Sequence, residues 1–388
     1  MNRLLMLIKP VSGHCNMRCQ YCFYADVTNR REKKNNGAMS YETLEKLVCS
    51  ALSETTEMCV FGFQGGEPTL AGIDFFKTLI KLEEKYNINS ISINHSIQTN
   101  GLLLNDEWCE FLSRHRFLTG ISIDGSKEIH NTFRIDANGK ATHNRCLQAT
   151  QKLSKHKAEY NVLSVVTNQL AAHPDKVYHY YKKQGFRHLQ FIPCIDGFEE
   201  QRHSHSYSLD SNQYGDFLCR IFDLWYEDFI REDYYSIRNF DNYIYMLAGY
   251  PPENCATSGT CSTAPLVEAD GSVYPCDFYA FNPYCLGNIH THSFAEMLAG
   301  ATAMEFIRSS QQAHPQCEKC SYYSICRGGC RRDRELTPNS GLGLNKYCTA
   351  YKQFFDHAIP QMTNIARHGF GATPPLDKLS ASDLPYFT

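Results

Sequence analysis

The sequence predicts an α/β protein: an N-terminal array of six β/α units followed by a cysteine-rich C-terminal region. Three observations carry this. Short β-rich runs alternate with amphipathic helical stretches from residue 4 to residue 196, and such alternation builds a parallel sheet with helical crossovers. Polar and Gly-rich residues follow the strands, where α/β folds place their functional edge. Nine of the 18 cysteines fall between residues 255 and 348, after the alternation has ended. Six units make either a doubly wound sheet or an incomplete barrel.

The elements follow in order. "LLMLIKP" (4–10) is a strand, and a loop with three cysteines comes after it. "SYETLEKLVCSALSE" (40–54) opens on a Ser N-cap and continues with apolar residues at helical spacing. "CVFGFQGGE" (59–67) is a strand running into glycines, and "GIDFFKTLIKLEEKYN" (72–87) is a helix. The strand "SISINHSIQTNG" (90–101), the helix "NDEWCEFLSRH" (105–115) and the strand "LTGISIDG" (118–125) come next. Helices near 142–156 and 174–184 alternate with strands at 159–167 and 188–196. Beyond residue 197 a polar stretch, "EEQRHSHSYS", leads into an aromatic-rich helix at 210–232. "PLVEADGSVYPCDFY" (265–279) carries short strand signals around an "ADG" turn, and 346–368 reads as a terminal helix despite Pro360. The division expected is 1–200 for the array, 201–250 for a helical linker, 251–368 for the cysteine-rich domain and 369–388 for a tail.

Composition narrows the function. A formal net charge of −3 gives no reason to expect nucleic acid or an anionic membrane as partner. No apolar stretch approaches a membrane span, and the N-terminal apolar run is too short for a secretory h-region, so a cytoplasmic protein is expected. In a reducing compartment a chain of this size uses cysteines for metal or redox work rather than disulfides. Seven cysteines (49, 59, 109, 146, 194, 219 and 285) stand apart from any motif and read as small buried hydrophobes or surface thiols.

Cys15, Cys19 and Cys22 in "HCNMRCQYCFY" are spaced C-x3-C-x2-C. Three thiolates hold three irons of a [4Fe–4S] cube and leave the fourth open for a ligand, whereas a closed cluster takes four. The competing reading is a structural zinc knuckle that borrows His14. Placement directly after the first strand of a β/α array argues against the knuckle. The remaining motif cysteines run Cys255-x5-Cys261, Cys276, then Cys317-x2-Cys320-x5-Cys326-x3-Cys330-x17-Cys348. Eight thiols suit two closed [4Fe–4S] clusters or two zinc ribbons, and spacing does not separate these.

The three-cysteine motif with its following aromatic resembles the signature of radical S-adenosylmethionine (SAM) enzymes. "FQGGEP" (63–68) resembles that family's second motif. The resemblance implies a partial (β/α)6 TIM-like barrel. Its open iron would bind the amino and carboxylate groups of SAM, and a 5′-deoxyadenosyl radical would follow from reductive cleavage. It places Gly66 and Glu67 at the methionine amino group, Ser122 on the cofactor, Arg134 at the carboxylate, and Tyr21 and Ile195 beside the adenosine. The C-terminal pattern resembles the SPASM extension, which carries two auxiliary clusters. By that resemblance Cys255, Cys261, Cys276 and Cys330 hold one cluster, and Cys317, Cys320, Cys326 and Cys348 hold the other. Arg327, Arg331 and Arg332 of "CRGGCRRDR" would then offset cluster charge or pair locally.

A wider set of segments closely resembles the anaerobic sulfatase-maturating enzymes: "LIKP", "CFY", "FQGGEPTLAG", "QTNG", "DGSKEIHN", "LWYEDF", "DGSVYPCDFY", "LGNI" and "CRGGCRR". "STAP" after Cys261 and the C-terminal tail depart from it. The resemblance implies oxidation of a Cys or Ser, within C/S-x-P-x-R of an unfolded sulfatase polypeptide, to Cα-formylglycine. It implies Asp277 as the general base, SAM and three [4Fe–4S] clusters as cofactors, and a low-potential electron donor such as flavodoxin or ferredoxin. Two alternatives remain at this point: another SPASM maturase that crosslinks a ribosomal peptide, and a zinc-bearing scaffold protein.

Overall fold

The six strands of the array are β1 (Arg3–Ile8), β2 (Met58–Phe63), β3 (Ser92–Thr99), β4 (Phe117–Ser122), β5 (Tyr160–Val166) and β6 (His188–Pro193). Four short ones follow: β7 (Ser236–Ile237), β8 (Leu266–Val267), β9 (Ser272–Tyr274) and β10 (Gly287–Asn288). This computed structural model describes residues 1–198, 205–338 and 340–369. Part of the polar stretch expected at the start of the linker (199–204), and the expected tail from 370 onward, lie outside the described residues. The chain forms two compact units, each built from several segments.

The first unit comprises residues 1–122, 134–160 and 262–309. In it β1 pairs parallel with β2, β2 with β3 and β3 with β4. All six residues of β2 are buried, as expected of a parallel strand covered on both faces. The first crossover helix, Tyr41–Glu54, starts where the sequence predicts: the Ser40 hydroxyl accepts from the Thr43 N–H, and Leu44, Leu47, Val48 and Ala51 face the core. Asn105 caps Asp106–Arg114 in the same way, through the Trp108 N–H.

Residues 262–309 belong to this unit, so the compact units cut across the linear division drawn from the sequence. β8 adds parallel to β1, with Leu7 opposite Leu266 and Ile8 opposite Val267. β8 and β9 form the antiparallel hairpin that the "ADG" turn predicts. Gly271 occupies the turn at φ +83°, where a Cβ would come within 2.9 Å of Ile289. The hairpin matters for function, because it carries residues 268 and 277 to the end of β1.

The second unit comprises 123–133, 161–261 and the described residues from 310 on. Within it β5 pairs parallel with β6, and β6 with β7. The aromatic-rich helix is Ser211–Ile230, capped by Asp210. It packs with Arg238–Leu247 and with the terminal helix Cys348–His368, which runs through Pro360. Phe354 ties the three together, 5.9 Å from Phe222 and stacked 5.5 Å from Phe240 between ring centroids. Short helices such as Phe23–Asn29 and Lys127–Phe133 carry too few residues for a readable period and are not anticipated by the sequence. No helix among the described residues is long and apolar enough to cross a membrane.

Phe354→Ala removes a fully buried ring shared by three helices and is expected to cost about 3–5 kcal/mol. Anaerobic denaturant unfolding followed by helix circular dichroism measures it.

Candidate active site

The loop after β1 folds back on itself through short local bonds. Ser12 donates its N–H to the Lys9 carbonyl, His14 to that of Val11, and Cys22 to that of Cys19. Arg18 N–H reaches the Ile135 carbonyl and Ala137 N–H the Asn16 carbonyl, so the segment after Arg134 pins the loop from outside. Cys19 and Cys22 lie near enough to Cys15 for their charges to act on it. The Met17 N–H lies 3.3 Å from the Cys15 sulfur, and the Asn100 amide lies 3.9 Å from it. Burial pushes the Cys15 thiol up to about 12, with the nearby Glu67, Cys19 and Cys22 adding to the rise. A loop of three soft donors with amide donors on one sulfur fits a cluster held at three corners. His14 is exposed, and its ring faces the Asn35 amide at 3.4 Å.

The two glycines of "QGGE" serve different neighbours. Gly66, at φ +56°, packs against the three-cysteine loop: a Cβ there would sit 2.3 Å from the His14 carbonyl oxygen and 2.7 Å from that of Ser12. Glu67 N–H donates to the same His14 carbonyl at 2.8 Å. The Glu67 side chain is 1% exposed. One of its oxygens accepts from the Thr69 N–H, the Thr69 hydroxyl and the Thr99 hydroxyl, and the other accepts from the Asn100 N–H. Three of the four donors share one oxygen, and the other oxygen keeps a lone pair open. Burial nevertheless holds this carboxyl above its ordinary range. Glu67 therefore joins the ends of β2 and β3 beneath the cysteine loop. Sequence reasoning assigned it a ligand and did not find these partners.

Ser122, at the end of β4, accepts from the Gln98 side chain at 3.0 Å. Arg134 and Tyr21, 113 residues apart, meet at 2.8 Å with the guanidinium donating to the phenol oxygen; both are buried. Ile195 follows β6 in the second unit and is half-buried.

Asp277 opens a short 3-10 turn directly after Cys276 and is 6% exposed. One oxygen lies 2.5 Å from the Lys9 ammonium, and the other accepts from the Gln64 amide at 3.1 Å. Lys9 also lies 3.6 Å above the Tyr24 ring. The Tyr24 hydroxyl donates to Glu268, which pairs with Arg31 at 2.7 Å. Burial first, then the Glu268 charge, holds the Tyr24 phenol well above its ordinary value. Lys9, Gln64, Tyr24, Arg31 and Glu268 are members the sequence did not single out. Their signal is weak: a lysine ending an apolar strand and a glutamate inside a buried hairpin.

The second unit holds seven of the remaining eight motif cysteines, while Cys276 lies in the first. Cys317, Cys320, Cys326 and Cys348 line one cavity together with Gly328 and Asn345. Burial pushes Cys326 up to about 11, and the other three thiols act on it in the same direction. Burial and the neighbouring Cys261 raise Cys255, also to about 11. Four thiols around one cavity fit a closed four-iron cluster. The basic segment is committed locally: Arg331 pairs with Glu335 at 2.8 Å, Arg332 donates to the Asp196 carbonyl and lies 3.7 Å above the Phe198 ring, and Arg327 donates to the Ser324 carbonyl. Of the seven cysteines outside the motifs, Cys59, Cys109, Cys146 and Cys194 are buried and Cys285 is exposed.

A β/α array with a three-cysteine loop after its first strand, followed by a cysteine-rich region, defines a radical SAM enzyme with auxiliary iron–sulfur clusters. The radical SAM superfamily model matches residues 10–201, and the SPASM iron–sulfur cluster-binding domain matches 259–321. The chain is 44% identical to a cysteine-type anaerobic sulfatase-maturating enzyme of Clostridium novyi, over 95% of this chain and 98% of the relative. A serine-type enzyme of Bacteroides thetaiotaomicron is 32% identical, over 97% of this chain and 95% of the relative. A solved structure of native anSMEcpe with bound AdoMet and Cp18Cys peptide superposes with a TM-score of 0.91 at 43% identity, covering 94% of this chain and 99% of that one. The chain belongs to the anaerobic sulfatase-maturating enzyme family. It is a radical SAM oxidoreductase that uses SAM and iron–sulfur clusters, which sets aside the zinc-scaffold alternative. The peptide-bound SuiB of Streptococcus suis, at 15% identity and a TM-score of 0.63, shares the fold.

Gly66→Ala forces the His14 carbonyl, and with it the cysteine loop, to move. Iron content is expected to fall by about a third, the share of one cluster in three, measured on anaerobically reconstituted protein.

Proposed function

We propose that this enzyme oxidises a cysteine within a C-x-P-x-R segment of an unfolded sulfatase polypeptide to Cα-formylglycine, with Asp277 as the base. The observation that carries the proposal is the buried Asp277 carboxylate held between Lys9 and Gln64 beside Cys276. The cysteine-type relatives at 44% identity support cysteine over serine, against 32% for the serine-type relative.

Cys15, Cys19 and Cys22 would hold the cluster that binds SAM, with Tyr21, Gly66, Glu67, Ser122, Arg134 and Ile195 as the proposed cofactor residues. Glu67 fixes the ends of β2 and β3, and the oxygen that accepts only from the Asn100 N–H keeps a lone pair for an ammonium. Arg134, steadied by Tyr21, supplies a fixed cation for a carboxylate. Cys255, Cys261, Cys276 and Cys330 would hold one auxiliary cluster, and Cys317, Cys320, Cys326 and Cys348 the other. Bound there, SAM and the clusters would supply one-electron chemistry: hydrogen-atom removal from carbon and an acceptor for one electron.

Converting a cysteine side chain to a thioaldehyde removes one hydrogen atom, one proton and one electron. Asp277 takes the thiol proton on a carboxylate lone pair that Lys9 and Gln64 leave open. Water then hydrolyses the thioaldehyde to the aldehyde with loss of hydrogen sulfide. The location we propose is the cytoplasm, and a low-potential flavodoxin or ferredoxin is the proposed reductant.

Under strict anaerobiosis, a C-x-P-x-R peptide is expected to lose the mass that marks aldehyde formation, and the Ser version to react more slowly; a crosslink with no aldehyde would sink the reading. Asp277→Asn is expected to cleave SAM while losing on the order of 100-fold or more in peptide oxidation. Cys15→Ala is expected to abolish SAM cleavage itself, read as 5′-deoxyadenosine by chromatography.

A further inference from the structure

We propose that Lys9 is a positioning residue for Asp277, its ammonium fixing how the carboxylate is presented to the substrate, and that Gly65 is glycine in order to leave room for it. The inference rests on the reading of Asp277 as the base. Lys9 is 0% exposed, and a buried ammonium is tolerated only when paired. Its contacts are the Asp277 oxygen at 2.5 Å and the face of the Tyr24 ring at 3.6 Å. Its position is set by the backbone. The Lys9 N–H donates to the Val267 carbonyl at 2.9 Å, continuing the β1–β8 ladder one residue past its end. The hairpin that begins at β8 then returns Asp277 to the same point.

Gly65 supports this independently. It sits at φ +94°, and a Cβ there would lie 2.0 Å from the Lys9 ammonium nitrogen and 2.9 Å from the two carbons before it. Its neighbour Gly66 meets the cysteine loop instead. The glycine pair therefore divides between the radical-generating loop and the base. Gln64, the residue before them, holds the second Asp277 oxygen. One oxygen faces the Lys9 ammonium past the end of β1, as an ion pair without hydrogen-bond geometry, and the other accepts from Gln64 past the end of β2.

The test is a double-mutant cycle on the full-length, anaerobically reconstituted enzyme with a C-x-P-x-R peptide. It reads iron content, KM for the peptide, and formylglycine formed per 5′-deoxyadenosine. Lys9→Met is expected to keep its iron and SAM cleavage, with KM within about threefold, while formylglycine per cleavage falls on the order of tenfold or more. In an Asp277→Asn background the same change is expected to matter by less than about twofold, because Lys9 acts through that carboxylate. Full coupling in Lys9→Met, or effects that multiply in the double variant, overturns the proposal. Should Lys9→Met not take up iron, Gly65→Ala, which displaces the ammonium while keeping its charge, is read in its place. Loss of coupling there supports the proposal and full coupling overturns it. Undiminished formylglycine from Asp277→Asn alone defeats the base reading itself, whatever Lys9 does.

Discussion

Four charged side chains, Lys9, Asp277, Arg31 and Glu268, meet in the buried space where β8 pairs with β1, and the functional end of the first unit is arranged around them. Two cations and two anions balance, so none is left uncompensated in a poor solvent for charge. Tyr24 joins the pairs, its ring under the Lys9 ammonium and its hydroxyl on Glu268. Phe23–Asn29, the helix that carries Tyr24, begins at Cys22. The charge cluster and the cysteine loop are thus parts of one local structure.

This arrangement explains why a hairpin from residue 266 onward belongs with the N-terminal strands. Two ladder residues on each strand are a small contact, but they set Lys9 against the loop that holds Asp277. On the opposite side Glu67 performs a similar task without a cation. Four donors from the ends of β2 and β3 converge on its carboxylate, and its own N–H holds the His14 carbonyl. Buried carboxylates thus anchor the residues that flank the cysteine loop, and their partners come from different strands.

The strands and long helices were legible because period and caps speak locally: Ser40, Asn105 and Asp210 each cap a helix where the sequence puts its start. The motif cysteines were legible because their spacing is short. The Cys317–Cys348 group, though spread over 32 positions, does gather around one cavity. The compact units were not legible, since the pairing of β1 with β8 joins residues about 260 apart and leaves no periodic trace. The second contacts were hidden for the same reason. Lys9 and Asp277, Arg31 and Glu268, and Tyr21 and Arg134 are each more than 100 residues apart. Glu67 was found by motif, but its partners depend on three strand ends meeting.

The proposed function turns on abstraction of a hydrogen atom from the Cβ of a peptide cysteine. Incubation with a C-x-P-x-R peptide deuterated at the cysteine Cβ tests it most directly. The expected result is 5′-deoxyadenosine carrying one deuterium, in step with aldehyde formation. Aldehyde formed with unlabelled 5′-deoxyadenosine would contradict it.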